Sequence, residues 1–363
     1  MHMDKINVKT GRDSSYDIII DDSFSFLKDA LKELYPINDR KVCIISDTNV
    51  GPLYLDQVKE SLNDVFSACT DISFNAGEAS KNLDTIKCFY EHLIKERFGR
   101  NDVLIALGGG VTGDMCGFTA ATFLRGVDYI QIPTSLLSQV DSSIGGKTGV
   151  DNAGYKNVVG LFNHPEFVYL CSLFLRTLDE KNMLSGGAEM LKLGIIGDRV
   201  LYRDATAYFK KFHLMDYDTK EDLESLIMRA VKYKCRLVEK DYREHGPRRV
   251  LNLGHTFAHA IEKCSPVPVS HGNAVSIGTV LAARIGQALG KTSPKVVEGL
   301  VEDFTAIGLP VSTSLDMLTL LDAIAKDRRS KDNAIDFVIP VKIGSAALLH
   351  LDMDQFRKLA LSL

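Results

Sequence analysis

Residues 103–118 carry the sequence VLIALGGGVTGDMCGF, an apolar run that breaks into three consecutive glycines. The five residues 103–107 predict a buried parallel strand, and a helix-compatible pattern starts soon after Thr112. A strand that ends in glycines and opens a helix can hold a phosphate. Glycine lets the backbone come close, and the N–H groups at the helix N-terminus point at the anion. A tight turn without a ligand is the other interpretation, and the glycines alone leave the two open.

On both sides of this motif, short apolar runs alternate with helical spacing. Residues 4–20 suggest a hairpin, 41–46, 66–74 and 129–132 suggest strands, and 24–34 and 83–96 suggest helices. This alternation predicts an α/β domain with a Rossmann-like, doubly wound parallel sheet. Residues 140–162 are rich in glycine and polar side chains, which predicts a functional loop.

Beyond residue 180 the character of the sequence changes to helical periodicity. The predicted helices cover residues 182–194, 200–212, 222–240, 253–263, 274–289 and 294–307, with short strands at 336–340 and 346–349. We therefore expect two domains, an α/β domain at residues 1–180 and a mainly α-helical domain at residues 181–363.

Composition limits the possible functions. The 363 residues are 45% hydrophobic and 25% charged, which is ordinary for a globular protein. A net charge of −4 gives no basic surface, so nucleic acid is not an expected partner. No apolar run approaches the ~20 residues that cross a bilayer, and no signal peptide is expected. Seven scattered cysteines without a CxxC pair predict reduced thiols and a cytoplasmic location.

Three histidines and one glutamate form a possible metal site. His255 and His259 are four residues apart in LNLGHTFAHAIE, so a helix would place them on one side. His271 follows, and Glu189 lies in SGGAEMLKLG with Lys192 one turn later. A carboxylate with imidazoles suits Zn²⁺, Co²⁺ or Fe²⁺ with open positions. The two histidines could share the metal, or one could bind it while the other handles protons; a buried histidine can also be purely structural.

Basic residues recur in the glycine-rich segments. Lys147 and Lys156 lie in segments expected near the strand ends, where a cation would meet an anionic ligand. A solvated surface is the usual explanation for such side chains. The remaining candidates are Arg125, Lys192, Lys234 and Arg248.

Together these segments resemble the sugar-phosphate cyclases, and most of all the 3-dehydroquinate synthase family. The matching strings are GGGVTGDMCGF, FLRG, IPTSLL, VDSSIGGKTGV, YKNVVGLF, SGGAEMLK, LNLGHTFAHAIE and SHGNAV, in family order across most of residues 40–345. The wider fold resembles iron-containing alcohol dehydrogenases and glycerol dehydrogenases, in which an NAD-binding α/β domain is joined to a helical metal domain.

The resemblance implies NAD and a divalent metal, Zn or Co, as cofactors. The implied metal ligands are Glu189, His255 and His271. The implied NAD contacts are Asp47, Asn49, Glu78, Lys81, Gly109, Gly110, Val111, Asp114, Thr134, Ser135, Asp141, Ser142, Lys147, Lys156, Phe174 and Thr177. The implied substrate contacts are Arg125, Lys147, Asn157, Lys192, Lys234, Arg248, Asn252, His259 and Arg328, and the implied catalytic residues are Lys147, Lys192, Lys234, Asn252 and His259. Arg125 is implied to reach the neighbouring subunit's site, hence a homodimer.

The implied activity is that of a carbon–oxygen lyase of the shikimate pathway, which converts 3-deoxy-D-arabino-heptulosonate 7-phosphate to 3-dehydroquinate and phosphate. Two departures from the family pattern bear on the site. Asn273 follows His271-Gly272 where the family usually has glutamate, so we expect weaker support of a metal ligand. Arg328-Arg329 replaces a usual lysine pair, and arginine and lysine are not equivalent phosphate binders.

Three alternatives remain open at this stage. Sister cyclases that make 2-deoxy-scyllo-inosose or 2-epi-5-epi-valiolone act on substrates without a carboxylate, whereas Lys234, Arg248 and Asn252 together favour a carboxylate. An NAD-dependent polyol dehydrogenase of the same fold would show net NADH formation. A non-catalytic cofactor-binding protein has the change at Asn273 as its only support.

Overall fold

A computed structural model describes residues 4–10, 15–213, 220–327 and 333–363 of the chain. The chain divides into two units, Met1–Leu178 and Asp179–Leu363. The first is an α/β unit with a mostly parallel sheet and the second is mainly helical, which confirms the predicted fold class.

The first unit is built on a seven-stranded sheet with the order β1-β2-β9-β6-β5-β3-β4. Strands β1 and β2 form the expected antiparallel hairpin, and the other neighbours are parallel. The strands are β1 Asp4–Lys9, β2 Ser15–Asp21, β3 Lys41–Asp47, β4 Ala68–Phe74, β5 Val103–Gly108, β6 Asp128–Pro133 and β9 Phe167–Cys171. Strands β7 and β8, which lie between β6 and β9 along the chain, form a separate hairpin.

Strand β5 is buried along its whole length because both faces of the sheet are covered. Ile105 and Leu107 pack into the core beneath α1 Leu27–Leu34 and α2 Gly51–Ser61. Leu104 and Ala106 pack into the opposite core beneath α3 Leu83–Lys95 and α4 Gly110–Thr122. Alternate residues of a strand face opposite sides, so a central strand needs an unbroken apolar run.

The segment 140–162 is not the loop that its composition predicted. It contains one π-helical turn, Ser138–Ser142, and an antiparallel hairpin of β7 Lys147–Asn152 and β8 Tyr155–Phe162. Ala153 and Gly154 have positive φ angles of 50° and 78°, which is the geometry of a two-residue hairpin turn. The helix after the glycines also begins at Gly110, earlier than the predicted start beyond Thr112.

The second unit contains the predicted helices and two that the sequence analysis missed, α11 and α12. Its helices are α5 Glu180–Gly197, α6 Arg199–His213, α7 Lys220–Lys240, α8 His255–Cys264, α9 His271–Ala288, α10 Pro294–Ile307, α11 Met317–Asp327 and α12 Met353–Leu361. The two predicted short strands are confirmed as the antiparallel pair β10 Ala334–Lys342 and β11 Ser345–Asp352. Within the described ranges, no helix is long and apolar enough to cross a membrane.

Helix α9 approaches two other elements of this unit at backbone distance. A Cβ atom added at Gly272 would lie within 2.7 Å of Ser185 backbone atoms on α5, and Ser185 Oγ accepts a 2.9 Å hydrogen bond from the Gly272 N–H. One added at Gly278 would lie 2.9 Å from the carbonyl carbon of Gly254, which precedes α8. Glycine at these positions brings α5, α8 and α9 together.

Candidate functional site

Glu189, His255 and His271 converge in the second unit, each from a different helix. Glu189 lies in the middle of α5, while His255 and His271 are the first residues of α8 and α9. One ligand atom from each lies within 4.8 Å of the others. Glu189 Oε1 is 3.4 Å from His271 Nε2 and 3.8 Å from His255 Nε2. These three residues could therefore hold one metal ion.

The environment of Glu189 fits a metal ligand. Its side chain is fully buried, and nitrogens of Lys192, His255 and His271 lie within ion-pair distance of its oxygens. Burial opposes its ionisation, but the Lys192 ammonium beside it and the two histidines lower the pKa of the Glu189 carboxyl well below its usual range. Burial and the Lys192 charge hold the pKa of His255 well below its usual value. An ionised carboxylate and a neutral imidazole are the forms that bind a metal.

The outer ring nitrogens of both histidines are held by acceptors. His255 Nδ1 is 3.1 Å from the Leu253 carbonyl oxygen, and His271 Nδ1 is 3.2 Å from Glu262 Oε1. Burial opposes protonation of His271, but Glu189 and Glu262 raise its pKa to about 9. The sequence analysis missed Glu262, although its spacing of seven residues from His255 places both on one face of α8.

Asn273, which raised the expectation of a weaker ligand, lies in the first turn of α9, and the N-cap of that helix is Ser270. The Asn273 backbone N–H donates to Ser270 Oγ at 3.4 Å, in the N-cap arrangement that starts α9 at His271. The carboxylate that supports the His271 ring comes from α8 and not from position 273.

The other predicted residues of this unit lie on α5, α7, α8 and the turn before α8. Lys192 and Lys234 are buried, although each carries an ammonium group. Arg248 is buried in the 3-10 turn Pro247–Asn252 and donates through Nη1 to the Tyr242 carbonyl oxygen at 2.7 Å. Lys192 already contacts the Glu189 carboxylate, and a buried ammonium or guanidinium group can also form charge-assisted hydrogen bonds with an anionic ligand.

Asn252 and His259 face a cavity together with His255. The cavity has a volume of about 260 Å³ and is also lined by Arg249 and Asp336. The His255 and His259 rings are 5.6 Å apart. The structure thus brings a metal-ligand candidate together with two residues predicted to contact substrate.

Glu244 is a second residue that the sequence analysis missed. Its Oε1 accepts a 2.7 Å hydrogen bond from Asn252 Nδ2, and its backbone has a positive φ of 58°. The backbone of a non-glycine residue is strained in this conformation, and such strain is often found at functional sites. No sequence pattern marked it, because the contact depends on the chain reversal after α7.

In the first unit, the glycine motif forms an open helix N-terminus. Gly109 is extended, Gly110 opens α4, and no side chain caps the helix. A Cβ at Gly110 would lie 2.9 Å from Ser142 Oγ. Asp47, at the end of β3, accepts from the backbone N–H of Asn49 at 2.9 Å. These features lie at the carboxyl ends of neighbouring strands, where α/β sheets bind ligands.

A second cluster of the first unit surrounds the buried Lys81. Its ammonium contacts Asp114 Oδ2 at 2.7 Å, Asn157 Oδ1 at 2.5 Å and Glu78 Oε1 at 4.0 Å. Lys156 also lies 4.0 Å from Glu78. Burial would lower the pKa of Lys81, but the carboxylates around it raise the pKa above its usual value. This cluster therefore brings together five residues that the sequence predicted to contact NAD or substrate.

The remaining predicted residues have varied surroundings. Phe174 is buried and packs edge-on against Tyr54 with ring centroids 4.8 Å apart, so its side chain belongs to the core. Thr177 Oγ1 is 2.6 Å from the Tyr54 hydroxyl. Lys147 is exposed at the start of β7. Val111 lies on α4, Thr134 and Ser135 follow β6, Asp141 lies in the π-helical turn, and Arg328 lies outside the described residues.

Arg125 projects from a strained turn. Leu124 and Arg125 have φ angles of 51° and 70°, and both side chains are exposed. Two consecutive non-glycine residues in the left-handed region are uncommon. The Arg125 side chain is therefore presented to solvent from a turn with an uncommon backbone conformation.

Comparison with known proteins identifies two matching family profiles. The profile "3-dehydroquinate synthase N-terminal" matches residues 71–185, and "3-dehydroquinate synthase C-terminal" matches residues 186–330. The 3-dehydroquinate synthase of Pyrococcus furiosus is 41% identical over 335 residues, covering 92% of this chain and 95% of that protein. The 3-dehydroquinate synthase of Streptococcus mutans is 37% identical over 357 residues, covering 98% of this chain and 99% of that protein.

Solved structures of sister enzymes share the fold at lower identity. A 2-deoxy-scyllo-inosose synthase in complex with carbaglucose-6-phosphate, NAD⁺ and Co²⁺ has a TM-score of 0.87 at 20% identity, covering 98% of this chain and 99% of that one. The 2-epi-5-epi-valiolone synthase of Streptomyces hygroscopicus, with NAD⁺ and Zn²⁺ bound, has a TM-score of 0.86 at 23% identity, with 98% of each chain covered. At such identities the likeness concerns the fold.

Proposed function

The chain belongs to the 3-dehydroquinate synthase family, and from that premise we propose how it acts on its substrate. It converts 3-deoxy-D-arabino-heptulosonate 7-phosphate to 3-dehydroquinate and phosphate, as a carbon–oxygen lyase of the shikimate pathway. The observation that carries the proposal is the convergence of Glu189, His255 and His271 in a chain that matches the family over both halves.

The proposed cofactors are NAD and a divalent metal, Zn or Co. Glu189, His255 and His271 would hold the metal, since their donor set of one carboxylate and two imidazoles leaves positions open. The uncapped start of α4 at Gly110 and the cluster around Lys81 would hold NAD. When bound, NAD would accept the hydride from carbon C5 as the C5 hydroxyl becomes a ketone and would later return it, and the metal would polarise the substrate oxygens.

The chain's own residues bind and orient the substrate. The buried Arg248 guanidinium suits the substrate carboxylate, which it can bind in bidentate fashion. The Lys192 and Lys234 ammonium groups would stabilise negative charge as it develops at C6, where preorganised charge is most effective. Asn252 and His259, on the cavity, would hold and exchange protons at the hydroxyl and phosphate oxygens. Phosphate leaves, the ring opens, and an intramolecular aldol reaction closes the carbocycle.

The proposal includes a cytoplasmic homodimer in which Arg125 serves the site of the neighbouring subunit. The exposure of Arg125 supports this role, because an exposed guanidinium group is accessible to a neighbouring subunit. The seven cysteines are all free, as expected in a reducing compartment, and this supports a cytoplasmic location.

Phosphate release from the heptulosonate phosphate, with NAD and Co²⁺ or Zn²⁺ present, is the decisive assay. Turnover of that substrate without net NADH formation supports the proposal. Cyclisation of a neutral sugar phosphate in place of it would select a sister cyclase, and steady NADH accumulation would select a polyol dehydrogenase.

The metal assignment has its own test. Glu189→Ala, His255→Ala and His271→Ala should each lose bound metal by elemental analysis. His259→Ala, one helical turn from His255, is the matched control and should keep the metal while losing activity. Equal loss of metal from the control would show that ligand and proton-transfer roles are interchanged.

A further inference from the structure

Glu262 occupies a position that helix α8 alone would not favour. It lies in the last turn of a helix that ends at Cys264, and its side chain is only 5% exposed. A carboxylate near a helix C-terminus meets the negative end of the helix dipole, and burial adds a further cost. Contacts outside the helix must therefore compensate for this placement.

His271 provides such a contact. Glu262 Oε1 lies 3.2 Å from His271 Nδ1, while His271 Nε2 points at Glu189 Oε1 at 3.4 Å. A carboxylate accepts hydrogen bonds and cannot donate them when ionised, so the Nδ1 atom must carry the proton. When the ring is neutral, the Nε2 lone pair therefore faces Glu189 and His255.

The two histidine ligands are supported unequally. His255 Nδ1 faces a neutral carbonyl oxygen of Leu253, whereas His271 Nδ1 faces the charged Glu262. A carboxylate behind an imidazole fixes the ring and raises its basicity more than a carbonyl does. His255 and Glu262 are seven residues apart on one face of α8, so this helix supplies one ligand and orients the next.

We propose that Glu262 is a positioning residue that holds the His271 ring in the metal-binding tautomer and strengthens its bond to the ion. The inference rests on the proposed metal site. It also gives the chain a supporting carboxylate at a position other than 273, where this sequence has asparagine.

Glu262→Gln tests the inference, because it removes the charge and keeps the size of the side chain. Co²⁺ affinity is measured by competition with a chromophoric chelator, after circular dichroism has shown that the metal-free variant is folded. We expect 10–100-fold weaker binding and an altered visible Co²⁺ spectrum. Glu298→Gln, an exposed glutamate on α10, is the control and should bind like the unmodified chain.

Glu262→Asp keeps the charge on a shorter side chain and should bind Co²⁺ with intermediate affinity. A Glu262→Gln variant that melts at a lower temperature but binds Co²⁺ with unchanged affinity would overturn the inference, as would equal affinities for Glu262→Asp and Glu262→Gln. Failure of the unmodified chain to bind Co²⁺ would instead overturn the metal site itself, so the two failures are distinguishable.

Discussion

Replacement of Gly272 by alanine should loosen the metal site through the helix that carries it. The added Cβ would lie within 2.7 Å of Ser185 backbone atoms, whereas ordinary contacts begin at 3.4 Å. Backbone cannot rotate out of the way as a side chain can, so α9 must move from α5 by about 1 Å. Such overpacking costs about 1–3 kcal/mol. For a unit of this size, each kcal/mol lowers the melting temperature by roughly 2–4 °C.

The same movement changes the geometry of the ligands. His271 is the residue before Gly272, and Glu189 lies one turn after Ser185 on α5. Metal–ligand distances tolerate about 0.2 Å, so a displacement of about 1 Å should weaken Co²⁺ binding tenfold or more. Calorimetric melting and a competitive Co²⁺ titration measure the two effects on the same preparation.

Gly299→Ala is the matched control. Gly299 lies inside α10, and a Cβ there would meet nothing within 4 Å. Alanine at such a site stabilises a helix by about 1 kcal/mol relative to glycine, and Co²⁺ affinity should not change. A Gly272→Ala variant that matched this control in melting temperature and affinity would refute the reasoning from close backbone contact.

Four further outcomes are expected. Lys192→Met should reduce phosphate release by about 100-fold or more while metal stays bound, as measured by enzyme assay and elemental analysis. Because the pKa of His271 is raised to about 9 without metal, a proton competes with the ion, and Co²⁺ affinity in titrations should increase up to about tenfold per pH unit from pH 7 before levelling off near pH 9. Asp198→Asn should cost about 1 kcal/mol at neutral pH in urea unfolding, because Asp198 pairs with Arg229 at 2.7 Å. Burial opposes ionisation of Asp198, but the pairing with Arg229 lowers its pKa below the usual value. The difference in free energy of unfolding between the variant and the unmodified chain should therefore be largest above the pKa of Asp198 in the unfolded chain. It should disappear as the pH falls through the lower pKa of Asp198 in the folded chain. Ile105→Ala, in the fully buried β5, should cost about 2–5 kcal/mol in the same experiment.

The sequence was sufficient for most of the sheet and most helices, because their patterns are local, but strand β9 and helix α2 were not predicted. The apolar run at 103–107 and the alternation around it predict β5 and its neighbours, and the structure contains them. The hairpin of β7 and β8 was missed because glycine and polar residues usually indicate a loop. Its two-residue turn at Ala153 and Gly154 lacks the asparagine–glycine pair that marks such turns most clearly.

The candidate site was predictable only in part, because its supporting contacts are between distant segments. The ligand candidates carry side-chain chemistry that can be recognised in isolation. Glu262 and Glu244 do not, since their roles depend on His271 and Asn252 lying beside them after folding. The absence of a carboxylate at position 273 suggested a weaker site, and only the packing of α8 on α9 shows where a carboxylate comes from.

The three ligand candidates are far apart along the chain, with 66 residues from Glu189 to His255 and 16 from His255 to His271. An ion bound by all three would link three helices that the unfolded chain cannot hold together. It would bind the native state alone, and at a hundred times its dissociation constant it would add about 2.7 kcal/mol of stability. Unfolded chains are removed by cellular proteases. Metal supply would then set how long each molecule survives in the cell, and so how much enzyme is present, as well as how fast it works.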